Sequence, residues 1–434
     1  CSTTKTVTST DPAPDPRWAA IDSLANIGQY ASALSATDEL LAKAQAGDDQ
    51  LTEFRAWMYK ARFQQYTGTD RKETIAALEQ RTTTTDAVPL KPLLHSVIAE
   101  AYWQWYQDER WRILERTAQA EPGNDPDTWD QPAFMRKVIA GYQASLEPHD
   151  ALKGMSSGGL APLLLPERAA EYQLRPTLFD LLAQRALTVF RNSETRLAEP
   201  ASRFRLDDPF CFTLFESFAL KPLTHPDSTA WEFQALRLFQ QLERLHLGDT
   251  EPDALVDVTL DRLRFVREQS HSPNKDSLHL AALELLRSRL PNDTCESEVI
   301  TALAQWHAEQ GEKYQRLDPV AARKDEKRTA ADLCRAAIAT WPGSFGAKNA
   351  EALLARLLLP ALQVEVEEAN TPDTPFKAAV RYTNVERVWL RIVKDDGGQR
   401  GSRDEEALKR LLKLPPVRAW NAALDNDCDL NAHL

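Results

Sequence analysis

The spacing of apolar residues changes once along this chain, near residue 361, and that change constrains its fold more than any single motif. Up to about residue 360 they recur at helical intervals, and beyond it they alternate with polar residues. With 15 glycines in 434 residues, about half the usual share, long runs of Ala, Leu, Glu, Arg and Gln go uninterrupted. Trp18, Ile21, Leu24 and Ile27 step round one helical face. Gly28 breaks it, and Tyr30, Ala33, Leu34, Leu40 and Leu41 begin another, so a helix hairpin is expected. Clusters of Pro, Gly, Asn and Asp bound further helices at about 51–66, 89–118, 131–147, 177–193, 229–247, 253–269, 275–289, 296–312, 326–340 and 346–358. Ala118 to Asp130 and Glu147 to Pro166 read as loops.

Past residue 361, Leu362, Val364 and Val366 alternate with Gln363, Glu365 and Glu367. After Asn370-Thr371-Pro372-Asp373 the alternation resumes through Phe376, Ala378, Val380 and Tyr382, and Val388 to Val393 form a third run. These runs predict three strands of a sandwich-type domain. A two-sheet sandwich needs about 100 residues, and the segment 361–434 also holds the helix-like Glu405 to Leu414, so the domain is expected to be cut short at Leu434.

Two stretches of the helical part carry small residues where paired helices must approach closely. Gly28-x-Tyr30-x-x-Ala33-Leu34 resembles the turn and second helix of a tetratricopeptide unit, and Ala330, Cys334, Ala337 and Pro342 match the small, large, small and Pro positions that close one. The expected fold class is therefore mainly α. A disordered tether over 1–17 precedes an irregular tetratricopeptide-like (TPR-like) α-solenoid over 18–360 and an incomplete β-sandwich over 361–434.

With 64 acidic against 52 basic residues the formal charge is −12, which excludes the basic field that nucleic acid selects. The longest apolar stretch, Ala352 to Val364, contains Arg356 and Pro360 and falls short of the roughly 20 residues that span a bilayer. The chain opens on Cys1 and a Ser/Thr/Pro tract running to Pro16, too polar and Pro-rich to join a core. This resembles a mature bacterial lipoprotein on its tether. The resemblance implies acylation at the thiol and α-amine of Cys1, and so a lipid-bilayer partner and an anchor held by several acyl chains. The residues after Cys1 include neither an Asp of the inner-membrane retention type nor an acidic surface-export cluster. The resemblance thus implies the periplasmic side of an outer membrane, with the cell surface as the alternative. Cys211, Cys295, Cys334 and Cys428 are far apart, which favours buried free thiols over a disulfide framework or a zinc site.

Reactive constellations find little support. Gly154-Met155-Ser156-Ser157-Gly158 matches the G-x-S-x-G nucleophile elbow, but that turn needs a buried strand running into the Ser, and Ser145 to Asp150 reads as a helix end and turn. His307 with Glu309 has the wrong order for a metalloprotease helix, and none of the eight His has a second His four residues on. Asp425-Asn426-Asp427-Cys428-Asp429 imitates the start of a calcium loop, but Leu430 stands where Gly makes the turn. No phosphate-cradling glycine loop occurs, and Gly397-Gly398 lies in an acidic turn. No catalytic residue, metal ligand or cofactor site is therefore assigned, and the chain is not expected to be an enzyme. Tyr102-Trp103-Gln104-Trp105-Tyr106, Trp111 and Trp129 crowd one region; neighbours on a helix point to different faces, which favours core over a flat sugar-stacking platform.

Several longer words carry a broader likeness: Trp18-x-x-Ile21-Asp22-Ser23-Leu24, His95 to Tyr106, Arg110-Trp111, Thr128-Trp129-Asp130, Arg175 to Leu187 and the strands from Val364 to Val393. In this text the chain resembles the N-terminal region of the large alpha-2-macroglobulin-like lipoproteins of Bacteroidota. That resemblance implies a protease trap, in which cleavage of a bait segment collapses the inhibitor around the protease and, in many members, a thioester captures an amine. The β-segment would then open a macroglobulin-type domain, and proteases would be partners through domains further along. The thioester needs a Cys-x-Glu-Gln word. Cys295-Glu296-Ser297-Glu298 has a carboxylate in place of the amide leaving group and reads as an ordinary helix start after Asn292-Asp293-Thr294. The expected role here is scaffold and tether, with bait and thioester absent. The competing expectation is a glycan-binding outer-membrane lipoprotein of helical-repeat type, resting on Cys1 and the Trp-rich segment.

Overall fold

The structure is a computed structural model that describes residues 15–117, 123–164, 172, 174–192, 204–225, 230–315, 322–367, 369, 371, 374–394, 405–425 and 428–434. Cys1 and the tract to Pro14, Gly397-Gly398 and Asn426-Asp427 lie outside them. The chain is mainly α. Sixteen α-helices occur among the described residues, with two small antiparallel sheets near the C-terminus. No helix there is long and apolar enough to cross a membrane. Two compact units part between Ser272 and Pro273.

The first unit holds α1 (Pro16–Asn26), α2 (Tyr30–Ala46), α3 (Gln50–Thr67), α4 (Arg71–Thr84), α5 (Leu90–Leu114), α6 (Gln131–Ser145), α7 (His149–Lys153), α8 (Leu178–Phe190), α9 (Phe215–Phe218), α10 (Trp231–His246) and α11 (Asp253–Gln269). Helix α1 starts before Trp18 because Asp15 caps it, accepting from the Arg17 amide at 2.9 Å, with Pro16 in the first turn. Gly28 adopts φ +78° and turns the chain into α2, as the hairpin requires. Trp18 and Ile21 are buried, whereas Ile27, expected on the same face, follows the helix as its C-cap and is exposed.

Helix α4 was not anticipated from the sequence. Its buried residues, Ile75, Leu78 and Thr82, form a single thin stripe, and its identity rests on packing between α3 and α5. Arg81 donates from Nε to Glu53 Oε1 at 2.6 Å and ties α4 to α3. The expected loop from Glu147 to Pro166 contains α7 and a 3-10 helix over Ser157–Leu163, and the loop before α6 holds a 3-10 turn at Pro126–Thr128.

Helix α5 is the hub of this unit. Tyr102, Trp103, Trp105 and Tyr106 are all buried, and it packs against α3, α4, α6 and α8, so it is enclosed on several sides. Tyr102 faces Trp129 (ring centroids 5.4 Å apart) and Trp103 faces Trp231 (5.7 Å). Each buried aromatic contributes about 1.5–3 kcal/mol relative to exposure. A Cβ on Gly141 of α6 would lie 2.9 Å from Ala99 Cβ, so the missing side chain lets α5 and α6 close together.

The second unit holds α12 (Lys275–Ser288), α13 (Glu296–Glu312), α14 (Glu326–Thr340), α15 (Phe345–Leu358), β1 (Ala361–Val366), β2 (Ala378–Thr383), β3 (Arg387–Val393), α16 (Glu405–Lys413) and β4 (Pro416–Ala423). Ala330, Cys334 and Ala337 of α14 are fully buried against Ile300, Ala304 and Ala308 of α13 and Ala350, Leu353 and Leu357 of α15. Leu430, from the last residues of the chain, enters the same core.

The three expected strands are present and divide between two sheets. β1 pairs with β2, and β3 pairs with a fourth strand, β4, that the sequence reading lacked. β4 begins at Pro416 and is rich in Ala, so its propensity signal is weak and its place comes from pairing with β3.

Candidate functional site

Each reactive motif has a local structural role. Ser156 makes a single antiparallel bridge with Thr177 and enters a 3-10 helix; its Oγ accepts from the Gly158 amide at 3.2 Å. No strand runs into it, so the hydroxyl is not presented as a nucleophile elbow demands. Cys295 is buried as the N-cap of α13, with Glu298 in the first turn, so the string compared with a thioester word is a helix start. His307 Nδ1 meets Glu326 Oε2 at 2.6 Å, linking α13 to α14. Asp429 Oδ1 accepts from the Asn431 amide and faces the His433 ring, forming a turn rather than an open ion loop. Among the described residues no group of three or more His, Cys, Asp or Glu converges as metal ligands would. Of the aromatic segment, only Trp111 (78% exposed) stands in solvent while Tyr102, Trp103, Trp105, Tyr106 and Trp129 are in the core.

Three buried polar clusters have no local sequence signature, because each depends on at least one partner distant in the chain. Arg262 and Glu243, both fully buried, pair at 2.6 Å. The same guanidinium donates to the carbonyls of Cys211 and Thr213 and stacks over Phe218, so the charge is compensated on several sides. His246 lies between Asp180 (2.9 Å) and Asp249 (2.6 Å). Asp180 also closes a capping box with Thr177 at the start of α8, a pattern legible as Thr-x-x-Asp. The Asp257 carboxyl is pushed up to about 6 by burial, with Asp261 one helical turn on adding to it, against the pull of Arg175 3.9 Å away. These clusters tie neighbouring segments of the first unit together.

The feature that points outward is the strand region. In the β1–β2 ladder Leu362 faces Tyr382, Val364 faces Val380 and Val366 faces Ala378. Directly opposed residues share a face, so one side of this sheet is apolar and the other carries Gln363, Glu365 and Arg381. Along β1 the apolar side is open, with Leu362, Val364 and Val366 48%, 43% and 54% exposed, whereas Tyr382 of β2 is buried and stacked on His433. In the β3–β4 ladder Leu390 faces Trp420 and Ile392 faces Arg418, while Trp389 on the opposite face is 73% exposed. Helix α16 leaves Leu408 and Leu412 in solvent. Two-stranded sheets with uncovered apolar faces are weakly stable alone and favour a covering layer or an added strand.

No protein-family profile and no curated protein matches this chain.

Proposed function

We propose that this chain is the N-terminal scaffold and membrane-tether region of an alpha-2-macroglobulin-like endopeptidase inhibitor of the bacterial lipoprotein type. Cys1 carries the lipid at the outer membrane. The helices form an irregular TPR-like α-solenoid, and β1 to β4 belong to a macroglobulin-type sandwich whose remaining strands come from elsewhere in the protein. The observation that carries this reading is the exposed apolar row of β1, Leu362, Val364 and Val366, which has the alternation of a sandwich strand and meets no opposing layer among the described residues. Close-packed helix neighbours with small residues at their contacts, Ala33, Gly141, Ala330 and Ala337 among them, support the solenoid. The chain does no chemistry of its own; it places the trap relative to the membrane, and the proteases engage domains that follow. The glycan-binding alternative keeps Trp111 as its one exposed ring from that segment, because Tyr102, Trp103, Trp105, Tyr106 and Trp129 are buried.

The test uses the product of the entire reading frame. A trap incubated with an endopeptidase suppresses cleavage of a large protein substrate while cleavage of a small peptide substrate continues. Equal suppression of both, or of neither, rejects the inhibitor assignment, as does a reading frame that stops after Leu434. Mass spectrometry of the N-terminal peptide from membranes tests the anchor separately: an unmodified Cys1 there rejects it.

A further inference from the structure

A cleft of about 480 Å3 opens in the first unit between the end of α6, the turn into α7, the last residue of α8 and one side of α10. Its size falls within the range of small-molecule sites. The floor is apolar: Leu146, Phe190 and Leu238 are each no more than 6% exposed. Carboxamides line the wall, with Gln143 Nε2 donating to Gln234 Oε1 at 3.1 Å and Gln241 beside them on α10. Each carboxamide offers a donor and an acceptor, the pattern a peptide bond matches.

Charges of both signs stand at the mouth. Glu147, 3.3 Å from the His149 ring, and Arg237 are exposed there. A site for a phosphate or another simple anion has no use for Glu147. A sugar site needs an open aromatic face, and the Phe190 ring is buried in the floor. Opposite charges over an apolar floor fit a zwitterion. We propose that this cleft binds a short peptide with free ends, its carboxylate on Arg237, its ammonium on Glu147 and an apolar side chain on Leu146, Phe190 and Leu238. The carboxylate bond is charge-assisted, so it orients the peptide as well as holding it. This inference stands independently of the inhibitor reading.

Isothermal titration of the full chain with the tripeptide Gly-Leu-Gly tests it, alongside the N-acetylated and C-amidated forms. Saturable binding of the free tripeptide is expected, weakened about tenfold by blocking either end. Arg237→Glu should remove the preference for a free carboxylate without shifting the melting temperature, since Arg237 is exposed. Arg237→Gln, a milder change, should do the same in part. No saturable binding up to about 10 mM, equal binding of blocked and free peptides, or an unchanged preference in both variants overturns the proposal.

Discussion

His246 holds a charge that two helices share. Asp180 and Asp249 only accept hydrogen bonds when ionised, so the protonated ring, donating from both nitrogens, is the form that satisfies both. Burial works against that charge, but the hydrogen bonds to Asp180 and Asp249 outweigh it and hold the pKa above the usual histidine value. The stabilisation is therefore complete below the unfolded pKa, about 6.5, and is lost as pH rises through the higher folded value. Urea unfolding of the first unit, followed between about pH 6 and pH 9, should show stability falling on the alkaline side. His246→Gln should cost about 2 kcal/mol at pH 6 and flatten that fall. A variant that keeps the wild-type alkaline slope would show that His246 is not its source. At this scale the sequence was only partly legible. Burial of the Tyr102 to Tyr106 aromatics could be argued from their helical positions, whereas the Asp180–His246 and Glu243–Arg262 pairs join residues whose meeting no local pattern announces.

Between elements, the closest approaches depend on missing side chains. A Cβ on Gly346 of α15 would come within 2.4 Å of the backbone of Ser297 and Glu298 at the start of α13. Backbone cannot swing aside as a flexible side chain can, so Gly346→Ala must push α15 from α13. A loss of about 2–3 kcal/mol is expected in thermal unfolding. If Gly346→Ala melts with the wild type, the two helices have room to part at no cost. Ala330, Cys334 and Ala337 were legible as helix-contact positions because their helical spacing keeps them on one face. Helix α4 and strand β4 were not, since each owes its conformation to neighbours more than to its own residues. Three alternating runs suggested one sandwich, but alternation states which residues share a face and leaves the pairing partner undetermined. The pairings of β1 with β2 and of β3 with β4 therefore come from the structure.

At the scale of the whole molecule, the contrast is between helices with packed cores and strands with open faces. Apolar area in solvent invites association. The chain as described should bind an apolar dye and associate as its concentration rises, and the double variant Val364→Ser with Trp389→Ser should suppress both. Because neither side chain belongs to a packed core, with Val364 43% and Trp389 73% exposed, the melting temperature should barely move, with a change within about 0.5 kcal/mol per site. Equilibrium sedimentation would check this; undiminished association in the variant would place the contact elsewhere. The sequence by itself determined the helix-to-strand change near residue 361, most helix positions and the absence of a long apolar helix among those described, because these follow from local spacing and length. Where the chain divides, which strands pair and which carboxylates meet His246 and Arg262 came from the tertiary structure alone. Those outcomes depend on contacts between residues distant in sequence, where loop closure and packing select among arrangements that local pattern leaves equal.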